Sequence, residues 1–317
     1  MHFLRERGTD MLKYIMKRLF IGVITLLILS TITFFGVRAM PGDPFEQDNK
    51  VMAPETYEAL KEKFHLDKPV GEQFLIFIKN AIHGDFGESI SKKGKLVSDI
   101  IKLRFPVTAK LGAIAFVVSM VVGLTLGIVA ALAKQRWVNS VITVVSTLGV
   151  TLPNFLFAMM IMIIFAVKLG WLPIVGLNGP QYYILPVAAL SLGPIASVTR
   201  LTRSSIRDVM HEDYITLSRS KGNKEARTIV VHGLKNALLP VVTYAGPLFA
   251  GMITGSLVIE TLFSVPGIGA EFTNSITNRD YTLVMGLTIL FGTLVIVMNL
   301  VSDVVAAIVD PRIKLGK

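Results

Sequence analysis

Cysteine is absent from this 317-residue chain, which excludes disulfides and cysteine metal sites. Charge is scarce as well, at 17% of residues, and it is missing altogether from six long stretches: 19–37, 111–133, 137–167, 169–199, 236–259 and 281–302. None of the five histidines falls in those stretches, so no buried general base or histidine metal site is legible there. A phosphate-cradling GxxxxGK[ST] loop is missing, since the nearest basic glycine segment, 91–95, lacks the leading glycine and the closing hydroxyl residue. His211 and Glu212 begin like a zinc HExxH motif, but Ile215 stands where the second histidine is required. Hydrolytic and redox chemistry therefore have no visible site.

What is present is apolar length. A bilayer core about 30 Å thick needs roughly 18 or more nearly uncharged apolar residues per spanning helix, and each of the six stretches passes, which predicts an all-α integral membrane protein of six transmembrane helices. The first half of the fourth stretch is rich in Gly and Pro (Gly170, Pro173, Gly176, Gly179, Pro180), leaving about 183–199 as its span. Pro186 and Pro194 inside it predict kinks rather than breaks, because membrane helices tolerate proline when neighbours satisfy the freed carbonyls. The stretch 19–37 follows Lys13, Lys17 and Arg18 but exceeds the h-region of a secretory signal, so it is expected to stay as the first helix. Gly123 and Gly127, and Gly251 and Gly255, form small-xxx-small pairs of the kind that lets helices approach closely, within the chain or between subunits.

The net charge of +10 is lopsided. With the N-terminus inside, the cytoplasmic segments hold 18 of the 32 Lys and Arg against 8 acids, and everything else sums to zero. This positive-inside pattern places both termini in the cytoplasm. It also explains the basicity without a nucleic-acid partner, since the basic residues track membrane flanks. The expected layout is a cytoplasmic 1–18, a first helix over 19–40, an extracytoplasmic 41–106, a five-helix core over 107–310 with a cytoplasmic loop at 204–239, and a tail at 311–317. Within 41–106, Tyr57, Leu60 and Phe64, and Phe74, Ile78 and Ile82, recur at helical spacing and predict two short amphipathic helices. They either pack on the membrane surface or form a cap facing a receptor.

Secondary transport coupled to an ion gradient normally requires an ionisable group inside the membrane. Here the span interiors have none, and Glu260, Asp303, Lys110 and Lys168 are expected near helix ends, solvated or snorkelling.

The segment DYITLSRSKG at 213–222, followed by KNALLP, reads as a basic helix-turn-helix knob. Asp213 is expected to cap its first helix, Gly222 to end it in a left-handed conformation, and Asn223 to cap the next. By its residues alone it is either a docking element or a helix lying on the membrane surface.

This segment resembles the ATPase-coupling loop of binding-protein-dependent ABC transporter permeases, with Thr216, Leu217 and Ser218 at the positions of the family's EAA triplet and Gly222 at its glycine. The triplet itself is replaced, as in the peptide branch. PGDPF at 41–45, FPVTAKLG at 105–112, VTRLTRSSIRDV at 198–209, GSLVIETLFSVPGIG at 255–269, SITNRDY at 275–281 and DPRIK at 310–314 together resemble the first permease subunit of oligopeptide and dipeptide importers. The resemblance implies the type I ABC importer permease fold in the bacterial cytoplasmic (inner) membrane. It also implies a second, homologous permease as heterodimer partner, two cytoplasmic ATPases that use ATP and Mg, an extracytoplasmic peptide-binding protein, and a peptide substrate. No cofactor, metal or catalytic residue is implied on this chain. Tyr214 and Leu217 would supply apolar docking surface, Thr216 and Ser218 the triplet positions, Arg219 and Lys221 charged contacts, and Gly222 the turn. A nickel or other small-solute importer of the family would share these motifs, and an ion-coupled carrier is the alternative from another class.

The missing cysteines make orientation directly measurable. A membrane-impermeant maleimide is expected to label a Lys93→Cys variant in intact spheroplasts, and an Arg219→Cys variant only after permeabilisation; the reverse pattern would invert the topology.

Overall fold

A computed structural model describes residues 2–45, 53–177 and 179–309 of the chain, with side chains described from 11 onward and as far as 307. The tail at 311–317, with most of the DPRIK motif, lies outside the described residues. Helices α1 (His2–Arg38), α2 (Pro54–Lys63), α3 (Val70–Ile82), α4 (Val97–Leu132), α5 (Arg136–Thr151) and α6 (Asn154–Ile161, continued by a π-helical Met162–Lys168) make up the first half. Then come α7 (Gln181–Met210), α8 (Asp213–Ser220), the short α9 (Glu225–Arg227), a π-helical Thr228–Leu234 and α10 (Lys235–Ala237). The chain continues through α11 (Leu239–Ile253), α12 (Leu257–Leu262) and α13 (Ile268–Thr277) to α14 (Tyr281–Val309). Among the described residues the sole β-pairing is an isolated bridge between Glu88 and Leu96.

Five helical stretches are long and apolar enough to cross a membrane: Met11–Arg38, Val97–Leu132, Gln181–Met210, Leu239–Leu262 and Tyr281–Ala307. The sixth, which the sequence predicts as one span over 137–167, is bent by 105° between α5 and the helix that starts at Asn154. Pro153 is the cause: it has no N–H to give to the helix, and it forces Leu152 before it into an extended conformation (ψ 124°). Pro186 and Pro194 end nothing, as expected, and lie inside α7. That helix runs past its uncharged stretch to Met210. At the other side, Pro106, the expected end of the extracytoplasmic segment, sits inside α4, which starts at Val97.

Small residues set how closely the helices approach. A Cβ on Gly123 would fall 2.7 Å from Val198, and one on Gly127 2.5 Å from Thr202, so this pair packs α4 onto α7 within the chain. Gly112 of α4 lies against the backbone of Met252 in α11, and Gly246 of α11 against Ser302 of α14. The second small-residue pair does something else. Gly251 meets nothing within 4 Å, and Gly255 abuts the Glu260 side chain.

Glu260 is the main departure from the sequence reading. Expected at a solvated helix end, it is 0% exposed. Thr108 of α4 donates to its Oε1 at 2.9 Å, while Gly269 N and Ala270 N donate to its Oε2 at 2.8 and 3.2 Å. These two amides belong to the first turn of α13, where the helix dipole favours an anion. Cβ atoms on Gly255, Gly267 and Gly269 would fall 2.5, 2.4 and 2.9 Å from carboxylate oxygens, so three glycines form the walls of the cage. Thr108 Oγ1 also accepts from Ile268 N at 2.8 Å, which locks α4, α12 and α13 together.

A second buried carboxylate, Asp280, fixes the segment before α4. Ser89 Oγ donates to it, as do Ile90 N at 3.1 Å, Ser91 N at 3.1 Å and Ser91 Oγ at 2.7 Å, while Leu283 N at 3.1 Å makes Asp280 the cap of α14. Glu271 adds an ion pair with Lys92 and one with Arg104 at 3.1 Å. Hydrogen bonds to a charged acceptor contribute about 1.5–3 kcal/mol each and leave costly orphans when the acceptor goes. Asp280→Ala is therefore expected to destabilise the chain by about 3 kcal/mol or more and to open the 88–95 loop to protease. An unchanged melting temperature and cleavage pattern would contradict this account.

Candidate functional site

The sequence-expected site residues lie on one compact hairpin of short helices at the end of α7. Helix α8 begins one residue earlier than its expected cap implies: Glu212 is the N-cap and Asp213 the first helical residue, where its negative charge suits the helix N-terminus. At the other end Gly222 N donates to Arg219 O at 2.9 Å and Asn223 N to Ser218 O at 3.4 Å, the double closure of a Schellman motif. Gly222 supplies the left-handed residue that this closure needs, with φ +77°. Asn223 caps its own turn rather than the following helix, donating from Nδ2 to Ser218 Oγ at 3.2 Å, and Lys224 is the N-cap of α9.

Burial divides the segment into two faces. Ile215 is 0% exposed, and Ser218 is buried beside it, its Oγ 3.0 Å from Thr228 Oγ1. These two hold α8 onto the π-helical turn behind it. Ser218 was expected among the contact residues and instead faces inward, whereas Ile215 was not singled out and is the apolar anchor. The outer face carries Tyr214 at 39% exposure, Leu217 at 54%, and exposed Thr216, Arg219, Lys221 and Gly222. A leucine more than half exposed on a helix of eight residues is an uncovered apolar surface, continued by exposed Val230 and Val231 in sequence beyond the turn.

Polar contacts hold this face in shape. Tyr214 Oη accepts from Asn236 Nδ2 at 3.0 Å, and Arg219 grips Glu225 with two hydrogen bonds of 3.1 and 2.8 Å. The Arg219 hydrogen bonds hold the Glu225 carboxyl below the usual carboxylate range, and the same contact raises the Arg219 guanidinium. Arg219 thus has an internal partner, which leaves Lys221 as the freer cation of the two. Among the described residues no group of three or more His, Asp or Glu side chains could hold a metal ion.

Glu260 is the buried functional-looking group that sequence reasoning passed over. Its signal lay in the spacing of Gly255, Gly267 and Gly269 around a lone acid, which is readable as a cage only once α12 folds back on α13.

The family model described as "Binding-protein-dependent transport system inner membrane component" matches residues 123–315, and one for the N-terminal part of such membrane components matches 11–112. The chain belongs to the binding-protein-dependent transport system inner membrane component family, and it is a multi-pass inner membrane protein. It is 45% identical over 307 residues to the oligopeptide transport system permease protein OppB of Haemophilus influenzae, covering 96% of this chain and 100% of that one. The dipeptide transport system permease protein DppB of Bacillus subtilis is 38% identical over 311 residues, covering 97% and 99%. A solved structure of the MetNI methionine ABC transporter in inward-facing conformations shares the fold at a TM-score of 0.54 and 16% identity, over 67% of this chain and 96% of that one.

Because the space around Gly222 is open, a side chain there is penalised by backbone conformation alone. Gly222→Val is expected to weaken the α8 terminus by about 1–2 kcal/mol, and Gly222→Asn by less. Hydrogen exchange of the α8 amides measures both; equal protection in the two variants would contradict the assignment.

Proposed function

We propose that this chain is one of two homologous transmembrane subunits of an ATP-driven importer that moves oligopeptides or dipeptides into the cell, and that α8 is the helix by which an ATPase drives it. The chain has no catalytic role of its own; two cytoplasmic ATPase subunits bind and hydrolyse ATP with Mg. An extracytoplasmic binding protein delivers the peptide on the side of the 41–106 segment. Both termini and α8 are cytoplasmic. Relatives named for oligopeptide and dipeptide transport, aligned over nearly the whole chain, support the peptide substrate.

The observation that carries the coupling role is the exposed pair Tyr214 and Leu217 on a helix anchored from behind by Ile215 and Ser218. An apolar patch on a rigid, small element is what a partner groove can grip, and aromatic anchors of this kind carry much of the energy of an interface. Movement of the ATPase pair displaces α8, and α7 leads directly into it. The coupling works only to the extent that the ATPases hold the inward-open and outward-open arrangements with different affinity. Arg219, braced by Glu225, and Lys221 supply charge at the rim, where it tunes association more than affinity.

Leu217→Asp is expected to abolish most ATPase co-purification and uptake of labelled oligopeptide, with membrane insertion unchanged. Gly222→Trp, which adds bulk at the same edge, is expected to act in the same direction. Retained ATPase and uptake in both variants would sink the docking role.

A further inference from the structure

Arg38, the last residue of α1, is a cation without a counter-charge among the described residues. The uncharged stretch 19–37 rises about 28 Å at 1.5 Å per residue, so Arg38 emerges at the boundary of the hydrocarbon, where lipid phosphates lie. Its guanidinium stacks on the Phe34 ring at 4.0 Å and on the Tyr281 ring at 4.9 Å. Nε donates to Gln73 Oε1 at 2.8 Å, and Nη2 donates to the same oxygen. Both bonds therefore go to one neutral acceptor. Among the described residues no carboxylate lies within ion-pair distance of Arg38, and three of its five N–H groups have no acceptor.

The guanidinium lines a cavity of about 210 Å³, the volume of about seven waters. Two acids line the same cavity. Glu88 is paired with Lys63, but Asp85 accepts only from the backbone of Gly87, at 2.9 Å, and has no cation among the described residues. Among the described residues, one cavity thus carries an unmatched cation and an unmatched anion. Around it the surface is apolar on the side that a bilayer would cover. Phe34, Phe35, Phe74 and Phe77 form one aromatic cluster, and α3 exposes Leu75 at 68% and Ile82 at 79%. Helix α1 packs on α14 and leaves Phe20, Ile28 and Ile32 exposed on its other face.

From this arrangement we infer that the Arg38 cavity binds the headgroup of a zwitterionic aminophospholipid of the adjacent leaflet. The phosphate sits on the guanidinium, the ammonium reaches Asp85, and the acyl chains lie along the exposed apolar faces of α1 and α3. The planar guanidinium suits a phosphate because it presents several donors in one plane, whereas a lysine offers a point charge. A lipid reaches the site laterally along α1, at the depth where its own phosphate already resides. The inference requires only that α1 spans a membrane, and is independent of the solute transported.

The test uses the full-length, delipidated protein in detergent and reads the shift in melting temperature as short-chain phosphatidylethanolamine is titrated. The expected result is saturable stabilisation, with apparent affinity about tenfold or more weaker in Arg38→Gln and partly restored in Arg38→Lys. Asp85→Asn, on an exposed side chain, is expected to abolish the preference for phosphatidylethanolamine over phosphatidic acid while preserving phosphate-dependent binding. Equal stabilisation by uncharged diacylglycerol, full reproduction of the effect by inorganic phosphate, or displacement of the lipid by a dipeptide would each overturn the proposal. The last would assign the cavity to substrate. If Arg38→Gln does not fold, the other two variants decide, and unchanged lipid binding in both overturns it.

Discussion

The close seating of α4 on α7 is the contact through which the rest of the molecule is arranged. Apolar side chains gain little from contact with one another when lipid tails are the alternative, so helices in a bilayer are held by fit. Gly123 and Gly127 allow Val198 and Thr202 to come within what would be a methyl group of the α4 backbone. Those two helices are also the ones that carry the ends of the molecule. Helix α4 begins at the segment anchored by Asp280 and Glu271, and α7 ends one residue short of the Glu212 cap of α8. A displacement at either end is carried along a packed pair rather than through a flexible link.

The three buried acids near the start of α4 play different physical roles. Asp280 is saturated with donors, Glu271 is balanced by two cations, and Glu260 has no cation among the described residues and relies on a hydroxyl and the amides of α13. A carboxylate so enclosed is costly to move unless its partners move too. The glycines around it remove every side chain that could compete for the space. This makes α12, α13 and the adjacent turn of α4 one unit.

Much of the fold was legible, because apolar length is a long-range pattern that survives without coordinates. The continuity of α7 through Pro186 and Pro194, the turn at Gly222 and the paired small residues on α4 followed from local rules and hold. The misreadings share a cause. Pro153 bends its span because Leu152 before it leaves the helical region, while Pro106 and Pro186 sit inside continuous helices. Glu260 looked interfacial by its position in the chain, yet the fold back of α13 encloses it. Ser218 was grouped with Leu217 by motif, and helical phase separates them, since three residues from the buried Ile215 returns to the same inner face. Caps slipped by one residue at Asp213 and Asn223, which is the usual uncertainty of a helix end.

The Asp280 anchor joins partners 189 to 191 residues apart in the chain. At about 5–20 residues per second of synthesis, the loop at 89–91 waits on the order of ten to forty seconds for its acceptor to be made. During that interval its serine hydroxyls and amides have water as their partner, and the segment before α4 is not yet seated. The final architecture of the first third of the chain is thus decided near the end of translation, and a ribosome that stops before residue 280 leaves it unfinished.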